Sequence, residues 1–247
     1  MTPALGQLAA PGSAGVAMGH LHLNVRDVEV SKKFWVQQMG GDLVRIGKGE
    51  AVKFAGSLVM LRKRDEVQAG SGAVAYVEFR SRDLETVVQR AKVAGTPMPR
   101  YEKGKRASFL TPEQLRVHVY QDRRQAQAMI FARIHFRVSR SEALREWYRR
   151  LLDVHAKAAG AAQVLQIPGA DLTFSEAGAK DPAPAGTAID HIGFEVRELE
   201  ARAKVLEKKG FKFDLPFRYF DRVNVGGVKL IDPAGVPVML TEGLSRY

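Results

Sequence analysis

Cysteine is absent from the 247 residues, which excludes disulfides and thiolate metal sites and leaves any metal to His, carboxylate, Tyr or water. It also leaves the redox compartment open. Long apolar runs are missing as well: no stretch nears the roughly 18 uninterrupted apolar residues of a membrane-spanning helix. The N-terminus lacks the basic, apolar and small-residue order of a complete signal peptide. The chain therefore reads as soluble, and as cytoplasmic unless an export signal once preceded it. Residues 1–18, rich in Ala, Gly and Pro, read as a flexible leader.

Acidic residues are in deficit, 27 Asp and Glu against 38 Lys and Arg, for a formal charge of +11. Such a balance attracts anionic partners. The basic residues are scattered in short runs such as Arg62 to Arg64 and Lys103 to Arg106, with no recognition-helix, zinc-finger or aromatic RNA-binding signature beside them. A solvated basic surface is the better account, and no nucleic-acid partner is expected.

What the chain has is a repeat. The segment HLHLNVRDVEVSKKFWVQQM from His20 aligns without gaps on RIHFRVSRSEALREWYRRLL from Arg133, placing His22 on His135, and Phe34 and Trp35 on Trp147 and Tyr148. A second segment, YVEFRSRDLETVVQRAKVAG from Tyr76, aligns on HIGFEVRELEARAKVLEKKG from His191. A third, TPEQLRVHVYQD from Thr111, aligns on DPAGVPVMLTEG from Asp232. Internal periodicity of this kind fixes the architecture before any motif is weighed.

Each half repeats again within itself. An alternating strand opens every segment; in HLHLNV it puts His20, His22 and Asn24 on one face and Leu21, Leu23 and Val25 on the other. An amphipathic helix follows, with Leu84, Val87, Val88 and Ala91 at helical spacing before Gly95, or Leu199, Ala203 and Leu206 before Gly210. Short strand-like runs complete each unit, and Gly47-Lys48-Gly49 sits between two of them as a hairpin turn. A lone unit has open edges and an uncovered face, so units must pair. The expected modules are residues 19–122 and 130–247, joined by DRRQAQAM, with RKRDEVQAGSG and AGAKDPAPAGT as connectors within the halves.

The matches HLHLNV with Phe34-Trp35, DHIGFEV from Asp190 and DPAGVPVML from Asp232 resemble the vicinal-oxygen-chelate superfamily of glyoxalases, bleomycin-resistance proteins and extradiol dioxygenases. The resemblance covers everything after residue 18. It implies an α+β fold of four βαβββ units paired into two tandem modules, each with a metal inside its barrel. Carried over position by position, it assigns His20, Tyr76 and His118 as metal ligands in the first module, with Met60 on the remaining strand. In the second it marks Arg133, His135 and His191 as pocket residues, with Met239 and Thr173 in the other ligand positions. Met239 stands where the family places a glutamate, and Arg133 where it places a histidine. A guanidinium offers no lone pair and a thioether is a poor ligand for Fe²⁺, Mn²⁺ or Zn²⁺, so the second module's metal site reads as degenerate.

Five of the six histidines, all but His155, fall on the inward stripes. Inward polar side chains on several strands are costly to bury unless they converge on water, a ligand or a metal. His22 and Glu78 are the candidates for proton transfer; Glu195 shares the inward face of its strand with His191. Tyr219 and Phe220 lie where the last unit exceeds its partner. The implied cofactor is a divalent metal, Fe²⁺, Mn²⁺, Ni²⁺ or Zn²⁺, and the implied activity that of a metal-dependent dioxygenase or lyase on a small oxygen-chelating substrate. The alternative is a metal-free protein of the bleomycin-resistance type, binding a small and, given the charge, anionic molecule through Arg133. Homodimerisation is compatible with either.

Overall fold

The computed structural model describes residues 7–159, 162–178 and 186–247. Four units follow one another. The first contains β1 (Val16–Val25), α1 (Val28–Lys32) continued by a π-helical turn (Lys33–Gln38), β2 (Asp42–Ile46), β3 (Gly49–Phe54) and β4 (Ser57–Lys63). The second contains β5 (Val74–Ser81), α2 (Leu84–Val93), β6 (Arg100–Glu102), β7 (Arg106–Leu110) and β8 (Arg116–Gln121). The third contains β9 (Met129–Val138), α3 (Ser141–Leu152), β10 (Ala156–Ala159), β11 (Ala162–Ile167) and β12 (Ala170–Glu176). The fourth contains β13 (Ile189–Val196), α4 (Leu199–Lys208), β14 (Leu215–Phe220), β15 (Val225–Ile231) and β16 (Pro237–Glu242).

Within a unit the helix carries the chain across and a meander returns it, so that the last strand lies parallel to the first. The helix starts are closed in a repeated way. Asp27 and Asp83 accept hydrogen bonds from the first-turn N–H groups of α1 and α2. The last residue of a unit's closing strand does the same from outside: Gln121 accepts from Leu84 N–H, Glu176 from Ser141 N–H, and Glu242 from the N–H groups of Glu198 and Leu199. Each satisfies donors that the helix cannot satisfy itself, and thereby ties helix to sheet.

The units pair through their opening strands, β1 antiparallel to β13 and β5 antiparallel to β9. Two eight-stranded sheets result, β14-β15-β16-β13-β1-β4-β3-β2 and β10-β11-β12-β9-β5-β8-β7-β6. Four βαβββ units paired into two modules are therefore present, but the first unit joins the fourth and the second joins the third. The boundaries 19–122 and 130–247 mark halves of the chain rather than sheets. All four opening strands carry the same alternation, so any two of them have compatible edges and local pattern does not choose the partners.

The leader is also shorter than expected. Val16, Ala17 and Met18 are buried in β1, and Leu8 is buried with Leu58, Val225 and Leu244 on the first sheet. Residues 1–6 and residues 179–185 of the AGAKDPAPAGT connector lie outside the described residues. Among the described residues no helix is long and apolar enough to cross a membrane.

One hydrophobic core joins the two sheets. On one side Phe79 of β5 meets Phe54 of β3 at 4.9 Å and Phe131 of β9 at 5.2 Å between ring centroids, beside the fully buried Trp35. On the other, Tyr148 of α3 lies between Phe136 of β9 and Phe194 of β13, at 5.1 and 6.2 Å. The Tyr148 hydroxyl donates to Asp232 at 2.9 Å, and Asp232 also accepts from Ala234 and Val236 N–H in its Asp-Pro-Ala-Gly turn. Because the aromatic contacts cross from sheet to sheet, the modules should melt together. Phe79→Ala is expected to cost about 3–5 kcal/mol in denaturant unfolding, with tryptophan fluorescence and far-UV circular dichroism giving coincident transitions; separated transitions would show two independent modules.

Candidate functional site

The faces turned away from this core carry the polar stripes. On the first sheet, strand register sets His22 opposite His191, with Met60 beside His22 on the next strand, and sets His20 opposite Gly193, with Met239 beside Gly193. Residues in register on neighbouring strands share a face, so three histidines and two methionines form one patch. The His20 ring lies directly over Gly193: a β-carbon there would fall 2.0 to 2.5 Å from three of its ring atoms. Glycine is what admits the imidazole.

His20 Nε2 and His191 Nε2 are 2.9 Å apart, and His191 Nδ1 is 2.8 Å from Asp190 Oδ2. The carboxylate takes the Nδ1–H of His191, which leaves the lone pair on Nε2 to accept from His20 Nε2–H. His20 Nδ1 then carries a buried lone pair with no hydrogen-bond partner among the described residues. The His22 ring stands edge-on to His191 at 4.7 Å. Arg62 and Arg64, both half-exposed, lie 3.7 and 3.8 Å from Asp190.

Asp190 was not among the residues singled out by the sequence, although it directly precedes His191. In a regular strand two neighbours point to opposite faces. Here the pairing runs from His22–His191 to Leu23–Ile189, so Asp190 is the extra residue of a β-bulge, which turns its carboxylate back onto the histidine. Bulges re-aim side chains in this way, and nothing in the local alternation announces one.

His20, His22 and Asp190 titrate far from their ordinary values. Burial, then the neighbouring His191 and His22, hold His20 well below the usual imidazole range. Burial and His191 bring His22 down to about 4 against the opposing pull of Asp190. Burial works against the Asp190 charge, but the hydrogen bond from His191 and the charges of His191, His22 and Arg62 outweigh it and lower Asp190 to about 2. His20 and His22 are thus neutral beside one carboxylate. Among the described residues, His22, Asp190 and His191 each offer a ligand atom within 4.8 Å of the others. Together with the orphaned nitrogen of His20, the donor set fits a metal ion.

The second sheet presents the duplicate face with different chemistry. Tyr76 is stacked between His118 and His135, at 4.1 and 4.6 Å. Arg133 donates to Glu78 at 2.9 Å and to Asp171 at 3.5 Å. The His135 nitrogens meet the hydroxyls of Thr173 and Ser175 at 2.8 and 2.9 Å. Burial raises Glu78 against the influence of Arg133, and burial with Arg116 and Arg106 lowers His118 to about 4.

The expected ligand set is therefore divided. His20 lies on the first sheet, whereas Tyr76 and His118 lie on the second and stack on each other; His191 faces His20 rather than Arg133 and His135. Glu78 is held in an ion pair, and Arg133 is neutralised by two carboxylates instead of standing free for an anion. Glu195 is occupied by Thr241, Gly243 and Ser245. Tyr219 is exposed on the outermost strand of its sheet. A concavity of about 720 Å³ lined by Phe34, Val93, Pro97 and Pro112 lies between the helices of the first two units, away from both polar faces, and its lining holds no His, Asp or Glu.

Residues 130–240 match the sequence model of the Glyoxalase/Bleomycin resistance protein/Dioxygenase superfamily. Their two units fall on different sheets, and the duplicate units complete each sheet. Residues 130–240 thus resemble that superfamily, and the chain as a whole has the fold of two tandem glyoxalase/dioxygenase-like modules. Glyoxalase I from Zea mays superimposes with a TM-score of 0.74 at 17% identity, over 94% of each chain. A proposed dioxygenase from Bacillus subtilis gives 0.70 at 11% identity, over 96% of this chain and 86% of the other. The cppA protein from Streptococcus pneumoniae gives 0.57 at 10%, over 96% and 99%. At these identities the likeness speaks to fold alone. No curated protein matches the chain in sequence.

His20, His22, His118 and His135 are all held below the ordinary imidazole value, burial being the largest cause in each. The unfolded chain binds protons near pH 6.5 while the folded chain still refuses them. The stability gained from neutral imidazoles is complete above pH 6.5 and is lost as pH falls from there through about 4. The melting temperature should drop across that window, and more gently in a His118→Gln, His135→Gln variant; equal slopes would contradict the assignment.

Proposed function

We propose that the histidine cluster of the first sheet is a metal centre, and that the protein is a metal-dependent enzyme of the glyoxalase and dioxygenase type, acting on a small substrate that presents two adjacent oxygens. The observation that supports this best is the contrast between duplicated positions. Where the first sheet has His20, His191 and the bulged Asp190, the second has Arg133, Tyr76 and Ala75, and its bulge carries no carboxylate. One sheet is built to hold a cation, and the other closes the same space with an ion pair and a ring stack.

His20, His22 and His191 would hold the ion, with Asp190 fixing the tautomer of His191. A carboxylate on the far nitrogen of a ligating histidine both orients the ring and raises its basicity. When bound, the ion would act as a Lewis acid on the two substrate oxygens. The chain's own groups supply the rest. His20 and His22, kept neutral by burial, offer lone pairs at neutral pH without first losing a proton, and Arg62 and Arg64 set positive charge beside the cluster where an anionic oxygen gains most.

A second reading, a metal-free binding protein, draws on the second sheet, where the Tyr76 stack forms an aromatic wall. With Arg133 already paired to Glu78 and Asp171, that face suits a neutral polar ligand rather than the anion expected from net charge. Elemental analysis of untagged protein separates the two. About one equivalent of metal is expected, absent in His20→Ala, His191→Ala and retained in His118→Ala; protein that takes up no metal even after reconstitution would overturn the enzyme reading in favour of the binder.

A further inference from the structure

The two positions flanking the histidines carry thioethers. Met60 is the register neighbour of His22 on β4, and Met239 is the register neighbour of Gly193 on β16, so one half-buried methionine stands on each side of the imidazoles. Gly193 has no side chain to separate Met239 from the His20 ring above it. On its other flank the methyl group of Met239 rests over Gly227, where a β-carbon would fall 2.8 Å from it. Glycine at both positions lets Met239 lie close to the sheet, between the His20 ring over Gly193 and the Phe220 ring over Gly227.

Oxygen donors are scarce on the same face. Both carboxylate oxygens of Glu195 are engaged by Thr241, Gly243 and Ser245. Asp190 is shared between His191, Arg62 and Arg64. Among the described residues the cluster thus combines imidazole nitrogen and thioether sulfur donors with one carboxylate that is already partly compensated. Hard divalent ions such as Mn²⁺ and Mg²⁺ favour carboxylate, carbonyl and water oxygens, imidazole suits zinc, iron, nickel and copper alike, and thioether sulfur selects cuprous copper. The metal acceptable to both donor types is copper. Charge points the same way, since the cost of burying an ion grows steeply with uncompensated charge, and a monovalent ion needs no more than the single carboxylate available.

We propose that the metal of this centre is copper, held as Cu(I) by His20 and His191 with Met60 and Met239 as the sulfur ligands, His22 standing beside this four-donor set. This rests on the metal-centre reading above. The full chain is titrated with Cu(I) under anaerobic reducing conditions against the chromophoric chelator bicinchoninate, and separately dialysed against Zn²⁺, Ni²⁺ and Mn²⁺ with elemental analysis. The same is done for Met60→Leu, Met239→Leu and for His20→Ala, His191→Ala, each checked for native circular dichroism. One equivalent of Cu(I) is expected, with a sulfur scatterer in copper-edge X-ray absorption. Affinity should fall roughly tenfold or more in the methionine variant while its uptake of Zn²⁺ or Ni²⁺ is unchanged, and should vanish in the histidine variant. Cu(I) affinity indifferent to the methionines, or wild-type protein that retains only divalent ions, overturns the copper assignment and leaves the metal centre standing. Protein that binds no ion of either kind overturns both.

Discussion

The antiparallel pairing of opening strands is the contact on which the rest depends. Between β1 and β13 it sets His22 against His191, lays the His20 ring on Gly193, and creates the bulge that turns Asp190 inward. A slip of one residue would send every one of these side chains to the opposite face, where Leu21, Leu23 and Ile192 now pack into the core. Burial of that apolar stripe therefore holds the register, and the register assembles the polar cluster. The stability of the site belongs to the hydrophobic face behind it.

The same pairing between β5 and β9 shows how much chemistry one frame can carry. Bulges recur at equivalent points, with Ala132 and Ala75 in the places of Gly19 and Asp190. His20 becomes Arg133, Gly193 becomes Glu78, and the ion pair between those two replaces the imidazole over glycine. Met60 becomes Thr173, which bonds His135, and Met239 becomes His118, which stacks on Tyr76. Several exchanges are matched by one opposite, as Arg133 with Glu78 and Thr173 with His135, although Arg133 Nε and Ser108 Oγ stay without a partner among the described residues. On the first sheet the unpartnered atom is His20 Nδ1, a nitrogen with a lone pair, whereas Arg133 Nε carries a proton and can accept no cation.

Connectivity and geometry are divided in this fold. A seven-residue stretch, 122–128, joins β8 to β9, so the second unit meets the third at once, whereas the first must wait for the fourth to close the other sheet. The aromatic contacts of Phe79 with Phe54 and of Tyr148 with Phe194 then bind one sheet to the other. The tandem βαβββ architecture was legible because its signals are local and recur along the chain: an alternating strand, a helical apolar stripe ended by glycine in three units and by Asp153 in the third, and a tight turn before the last strand.

The candidate site was legible in part. His20, His22 and His191 could be marked as inward-facing from period-two alternation alone, and Met60 and Met239 from alignment of the repeats, because strand geometry ties each of these to its immediate neighbours. Which of them meet could not be read the same way. Four strands of like pattern have interchangeable edges, and the choice of partners is made by the whole chain closing its two sheets over one core. The role of Asp190 was hidden for a related reason, since a bulge arises from how two distant strands settle against each other. By itself the sequence determined the units, their facing and the residue types offered to each polar face. Tertiary structure alone decided that His20 meets His191 rather than His118, because that contact depends on a pairing between residues 171 positions apart that no local periodicity encodes.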